Sequence, residues 1–240
     1  MKKLLIILLV LPLMVLSQEA DEQLLTLTEF TVKQGHAAPF LDGIKKVKEC
    51  YTENGGTDTW NFWSRVQGEG NVYAVSSFMS NWSEMDKKDK AWDSCRMIMM
   101  NFIMPHVEKS NYAITQTLSD WSKKGSNDDM KLVWVTYFKV QNTSIFSEVV
   151  KDVSSTIAKE EGDNRGYWYS FMGGGESDPD YMVSEAYPSY AALDQDYVSP
   201  FKVYEKVHGE KKTKEMRDKW RNAIDGAWSY IWKLDEDLSN

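Results

Sequence analysis

Histidine, cysteine and proline are scarce in this chain, at three, two and six residues. His36, His106 and His208 share no spacing of the H-x-x-x-H kind, which argues against a helix-borne zinc site. Two cysteines, Cys50 and Cys95, are too few for a disulfide-built scaffold. A bridge between them and a pair of buried free thiols both stay open, and neither sulfur adjoins a histidine that would activate it. Surplus positive charge is absent too: 28 basic side chains face 36 acidic ones, a net charge of −8. An acidic chain repels phosphate backbones, so nucleic acid is excluded as a partner. No Ser-His-Asp order, nucleotide fingerprint or EF-hand spacing occurs. The glycine run Gly173-Gly174-Gly175-Glu176 lacks the Lys-Ser/Thr of a phosphate loop and joins two predicted strands, so it reads as a flexible hairpin.

Long apolar runs are confined to the first residues. Lys2-Lys3 precede an apolar stretch from Leu4 to Leu16, and small Ser17 is followed by polar Gln18. This pattern predicts a signal peptide at residues 1–17. The stretch is too short to span a bilayer, so no stable membrane insertion is expected after cleavage, and the destination is secreted or periplasmic. No cysteine follows it, which argues against a lipid anchor.

Aromatic residues are plentiful: ten Trp, twelve Tyr and nine Phe. Many fall in a segment that occurs twice. Phe62-Trp63-Ser64 aligns with Trp168-Tyr169-Ser170; after a two-residue insertion, Tyr73-x-Val75-Ser76 aligns with Tyr181-x-Val183-Ser184. Trp82, Met85 and Asp86 then match Tyr190, Leu193 and Asp194. A register held this long marks a duplicated unit.

Alternation and helical spacing divide each copy alike. Strands are predicted at residues 24–32, 60–66, 72–78 and 111–118, with a helix from Phe40 to Tyr51 and another from Ala91 to about Lys109. The polar segment 123–130 reads as a linker between residues 18–122 and 131–240. In the second part, strands are predicted at 132–140, 167–172, 181–186 and 229–234. Helices are predicted at 145–157, from Pro188 to Leu193, and from Lys212 to Trp228, with Ser199–His208 less regular. The order β-α-β-β-α-β is that of a ferredoxin-like unit. Bulky residues at both parities, Trp60 and Phe62 against Trp63, ask for burial on both sheet faces. The expected fold class is α+β: two ferredoxin-like βαββαβ repeats forming an intrachain pseudo-dimeric α/β barrel.

The entry V-K-Q-G-H-A-A-P-F (Val32–Phe40), the aromatic hairpin from Trp60 to Val75 and the helix start S-N-W-S-E-M-D (Ser80–Asp86) resemble the dimeric α/β-barrel superfamily, which includes antibiotic-biosynthesis monooxygenase-like and NIPSNAP-like domains. The resemblance covers nearly the whole chain beyond the signal segment. It brings into view cofactor-independent oxygenases, haem-degrading enzymes and chlorite dismutase-like haem proteins. The Asn, Trp and His expected of haem degraders are not found; Thr26, Thr28 and Thr31 stand where the Asn would be wanted. No cofactor is therefore expected. Were haem bound after all, His106 would be the axial-ligand candidate.

The expected function is binding of a small apolar or aromatic molecule between the two repeats, with Trp60, Phe62, Trp63, Arg65, Tyr73, Trp168, Tyr169 and Tyr181 as candidate lining. Alternation does not say which parity faces the ligand, so both are carried. Arg65 shares a face with Asn61 and Trp63 and could pair with a ligand carboxylate or reach solvent. The alternatives are a cofactor-independent monooxygenase-like or isomerase-like enzyme, with His106 or His36 as base, and a structural protein with a fully packed barrel. His208, in a polar stretch, is expected to be solvated, and the chain to be a monomer or weak homo-oligomer.

Overall fold

Period-two alternation becomes eight strands and amphipathic spacing becomes four helices in the computed structural model, which describes residues 22–126 and 129–240. The predicted signal segment lies outside the described residues, as do Asn127 and Asp128 of the linker. The strands are β1 (Leu24–Val32), β2 (Asn61–Arg65), β3 (Asn71–Met79), β4 (Val107–Thr117), β5 (Leu132–Val140), β6 (Tyr167–Phe171), β7 (Tyr181–Tyr187) and β8 (Ile224–Asp235). The helices are α1 (Ala37–Glu53), α2 (Lys90–Phe102), α3 (Thr143–Glu161) and α4 (Pro200–Ala223).

All strand pairs are antiparallel, and they close into a barrel in the order β1-β3-β2-β8-β5-β7-β6-β4. The first four strands lie side by side as β4-β1-β3-β2 and the last four as β8-β5-β7-β6. Two seams join these groups: β2 on β8, from Phe62↔Asp235 to Arg65↔Trp232, and β4 on β6, from Thr115↔Phe171 to Thr117↔Tyr169. Closure leaves no open sheet edge. The helices cover the outside. α1 buries Phe40, Ile44, Val47 and Tyr51, one face at helical spacing, and α3 buries Phe146, Val149, Val150, Val153 and Ile157 in the same way. Gly43 lets α1 approach the end of α2, since a Cβ there would sit 2.2 Å from the Phe102 carbonyl oxygen.

Three boundaries differ from the sequence expectation. α2 stops at Phe102 rather than near Lys109, because Pro105 sits in a short 3-10 turn and the His106 carbonyl accepts from Lys33 N–H at 3.0 Å, drawing the chain onto β1. The last helix occupies Pro200–Ala223, not Lys212–Trp228. Val203 and Tyr204 anchor its first part against α3, and Gly209 (φ 80°) kinks it. Ile224–Trp228 belongs to β8, where Trp228 pairs with Tyr137 and stacks on it at 5.8 Å. The stretch after Pro188 forms only a 3-10 turn, Tyr190–Asp194, matching the turn Trp82–Asp86 of the first half.

Cys50 of α1 and Cys95 of α2 are joined by a disulfide, which settles the alternative left open by the sequence. It closes a loop of 45 residues. Its loss in a Cys50→Ser/Cys95→Ser double variant should cost about 2–4 kcal/mol. Urea unfolding of that variant beside the oxidised protein measures the difference.

Candidate functional site

Closure assigns every strand residue to the lumen or to the helix layer. Trp63 and Arg65 of β2, Tyr137 of β5, Tyr169 and Phe171 of β6, and Trp228, Tyr230 and Trp232 of β8 point inward. Phe30, Phe62, Tyr73, Phe138, Trp168 and Tyr181 point outward, under the helices. Two larger cavities result, one on each side of the sheet, and a smaller pocket of about 330 Å³ lies at the Gly173–Gly175 hairpin.

The first, about 510 Å³, lies in the lumen. Leu25, Leu27, Trp63, Tyr137, Tyr169 and Trp232 wall it, with Glu29, Ser76 and Ser184 as polar points. Trp63 Nε1 donates to Ser76 Oγ at 2.9 Å. Glu29 accepts one long bond, from the Tyr137 hydroxyl at 3.5 Å. Burial pushes the Glu29 carboxyl above its ordinary pKa, while the charge of Arg65 and the Tyr137 hydroxyl act the other way. Burial and the Glu29 charge hold the Tyr137 phenol well above its usual range, and burial pushes Tyr169 up to about 12.

The second cavity, about 720 Å³, lies between the outer face of β5, β6 and β7 and the helices α3 and α4. Trp134, Phe138 and Trp168 form its sheet side; Val150, Val153, Ile157, Phe201 and Trp220 face them from the helices. One wall is polar. Glu185 accepts from Tyr187 at 3.1 Å and Tyr197 at 3.4 Å, and burial together with the Glu185 charge raises both phenol pKa values. Arg165 is held by Glu161 through Nε and Nη2 and lies 5.0 Å from the Tyr197 ring centroid. In the first half the corresponding layer is filled: Phe40 and Phe62 both stack on Tyr73, at 5.2 and 5.8 Å.

The sequence candidates are thereby separated. Trp63 and Tyr169 line the lumen cavity, and Trp168 lines the outer one. Trp60 packs on Tyr51 and Trp92, Phe62 and Tyr73 fill the first helix layer, and Tyr181 stacks on Phe146; none of these lines either larger cavity, though Tyr181 borders the small pocket at the Gly173–Gly175 hairpin. Arg65 lies beyond the lumen cavity, its guanidinium 4.5 Å from the Tyr230 ring centroid and Nη2 bonded to the Glu69 carbonyl. His36 and His106 meet, Nδ1 to Nδ1 at 2.9 Å, where α1 and β4 begin; one tautomer donates and the other accepts. They line neither cavity. His208 is not solvated as expected: its Nε2 meets Thr156 Oγ1 at 3.0 Å and its ring packs on Tyr204. Sequence reasoning passed over Glu29 and Tyr137 in the lumen, and Trp134, Trp220 and Glu185 outside it. Glu29 did carry a signal, as a charge at the same parity as Leu25 and Leu27.

No protein-family model matches the sequence, and neither does any curated protein. Solved structures do match. A monooxygenase candidate of Fusobacterium nucleatum superposes with a TM-score of 0.53 at 14% identity, over 90% of this chain and 93% of that one. A monooxygenase candidate of Lactobacillus acidophilus gives 0.52 at 12% identity, over 91% and 98%. A variant of the chlorite dismutase of Candidatus Nitrospira defluvii gives 0.53 at 7% identity, over 90% and 94%. At these identities the likeness establishes the fold alone: a mixed α+β barrel of the monooxygenase-like and chlorite dismutase-like kind.

Haem is the cofactor that the resemblance in sequence implied. Neither cavity lining contains a histidine or cysteine. The outer one has no methionine either, and its Tyr187 and Tyr197 phenols are held protonated beside Glu185. Among the described residues no group of three or more His, Cys, Asp or Glu converges on one point. The donor set does not fit a histidine- or cysteine-ligated haem. Hemin added to the purified protein should give no Soret band of a histidine- or cysteine-ligated haem, which an absorbance titration reads directly. His106→Ala should lower stability by about 1 kcal/mol, through loss of its hydrogen bond to His36. Ligand affinity measured on the same variant should stay unchanged.

Proposed function

We propose that the chain is an exported ligand-binding protein built from two ferredoxin-like repeats, and that its principal site is the helix–sheet cavity of the second repeat. The duplication reading is supported by equivalent residues sharing a face: Trp63 with Tyr169 inward, and Phe62 with Trp168 and Tyr73 with Tyr181 outward. A barrel that closes within one chain supports a monomer. Export is supported by the Cys50–Cys95 disulfide, a bond that persists in oxidising compartments.

The observation that carries the binding site is the contrast between halves. The first helix layer is packed solid with aromatic rings, whereas the second leaves about 720 Å³ walled by Trp134, Phe138, Trp168 and Trp220. Trp134 and Tyr197 at this cavity remain 39% and 57% exposed, a cost in apolar surface that a bound molecule would recover. The favoured ligand is flat and mostly apolar, with one hydroxyl or amide turned toward Glu185 and Tyr197.

A second reading, a cofactor-independent oxygenase or isomerase, is favoured by the fold shared with the monooxygenase candidates. In that case the acid–base groups in the cavity are Glu185, Tyr187, Asp196 and Tyr197 rather than the histidines.

Pyrene is a suitable probe, because energy transfer from Trp168 and Trp220 would report its entry. Ala192→Trp, which fills the cavity from its rim, should weaken pyrene binding by at least about tenfold, while Trp63→Leu in the lumen leaves it unchanged. Equal affinity in the Ala192→Trp variant and the parent would overturn this assignment.

A further inference from the structure

Glu29 has no role in the outer cavity. Among the described residues it is the sole carboxylate lining the lumen cavity, whose walls are mostly apolar or aromatic, with Gln23, Asn61, Ser76, Ser184, Lys124 and Ser126 as the other polar groups. Lys124 and Ser126 lie at the end of that cavity where β1 starts; Glu29 is four residues along β1 from Leu25, about 13 Å deeper at the usual rise of a strand. Past Glu29 the barrel is plugged, with Tyr137 stacked on Trp228 and Arg65 over Tyr230. The cavity is therefore a mainly apolar chamber with one acid, among the described residues, near its inner end.

That acid is poorly compensated. The bond it accepts from the Tyr137 hydroxyl is long, at 3.5 Å. Arg65 makes no ion pair with it within 4 Å: Nη2 is held by the Glu69 carbonyl, the guanidinium lies over the Tyr230 ring, and its buried Nε is without a partner. An ionised carboxylate so placed lacks the partner that buried charges require. A ligand carboxylate would meet like charge, and a hydrocarbon would leave the acid dry and unpaired. An ammonium group would pair with it and lie against the ring faces of Trp63, Tyr137, Tyr169 and Trp232, which attract cations.

We propose that the barrel lumen is a second binding site, independent of the outer cavity, for a small apolar molecule carrying one cationic amine, with Glu29 as its counter-ion. The groups that bear on Glu29 are Arg65 from β2, Lys109 from β4 and Tyr137 from β5. Arg65 and Lys109 favour its ionised form, but burial outweighs them and raises its pKa. Amine binding is thus full where Glu29 is ionised, and it is lost as the pH falls through a value above the ordinary carboxylate range.

Calorimetric titration with 1-naphthylmethylamine, 1-naphthylmethanol and 1-naphthoate tests this. The amine should bind the parent protein about tenfold or more tighter than the alcohol, with the carboxylate weakest. In Glu29→Gln the amine and the alcohol should bind equally. If that variant does not fold, the pH dependence of amine affinity in the parent protein decides instead: a fall on acidification supports the site and a flat profile overturns it. Ala192→Trp, which blocks the outer cavity, should leave amine affinity unchanged, so failure here is separable from failure at the pyrene site. Tightest binding by the carboxylate, equal binding of amine and alcohol by the parent, or loss of amine binding in Ala192→Trp would each overturn the proposal.

Discussion

The two seams that close the barrel, β2 on β8 and β4 on β6, are the contacts on which the rest of the structure depends. Each group of four strands carries bulky apolar residues on both faces, and helices cover only one. The other face can leave water only against its counterpart. Closure also satisfies the backbone groups of β2, β4, β6 and β8, which would otherwise end in open edges. The lumen rings, Trp63 and Trp232 across one seam and Tyr137, Tyr169 and Phe171 around the other group of strands, are buried because the ring is complete.

Once the ring is closed, differences between the two helix layers decide where space remains. In the first half α1 and α2 are brought together by Gly43 and tied by the disulfide, and Phe40, Phe62 and Tyr73 fill the gap beneath. In the second half α4 is rich in charge, with Glu210, Lys211, Lys212, Lys214 and Glu215 following the Gly209 kink. It offers the core little beyond Val203, Tyr204, Met216 and Trp220. A helix with so narrow an apolar stripe cannot lie flat on a sheet, and the outer cavity is what remains.

Much of the architecture was legible because it rests on local pattern. The repeat of the aromatic hairpin, the alternation of Leu24–Val32 and Leu132–Val140, and the apolar faces of α1 and α3 each use short-range spacing. The misplaced boundaries fall where a distant contact overrode that spacing. Ile224–Trp228 continues the helical pattern of α4, but pairing with β5 and the stack of Trp228 on Tyr137 pull it into β8. The chain after Phe102 leaves its helix because Lys33, far off in sequence, takes the His106 carbonyl.

Amino-acid order by itself determined the α+β class of the fold, the acidic character that disfavours nucleic acid, and the aromatic supply from which both cavities are walled. Only the tertiary structure decided which parity faces the lumen, since register places Trp63 and Tyr169 inside and Phe62 and Trp168 outside. It also decided that His36 and His106 pair with each other, that the cysteines are bridged, and that Glu29 lines a mainly apolar lumen cavity. The reason is common to all of these. A residue's neighbours along the chain set its local geometry, whereas closure of the ring sets what stands opposite it, across separations that no local spacing records.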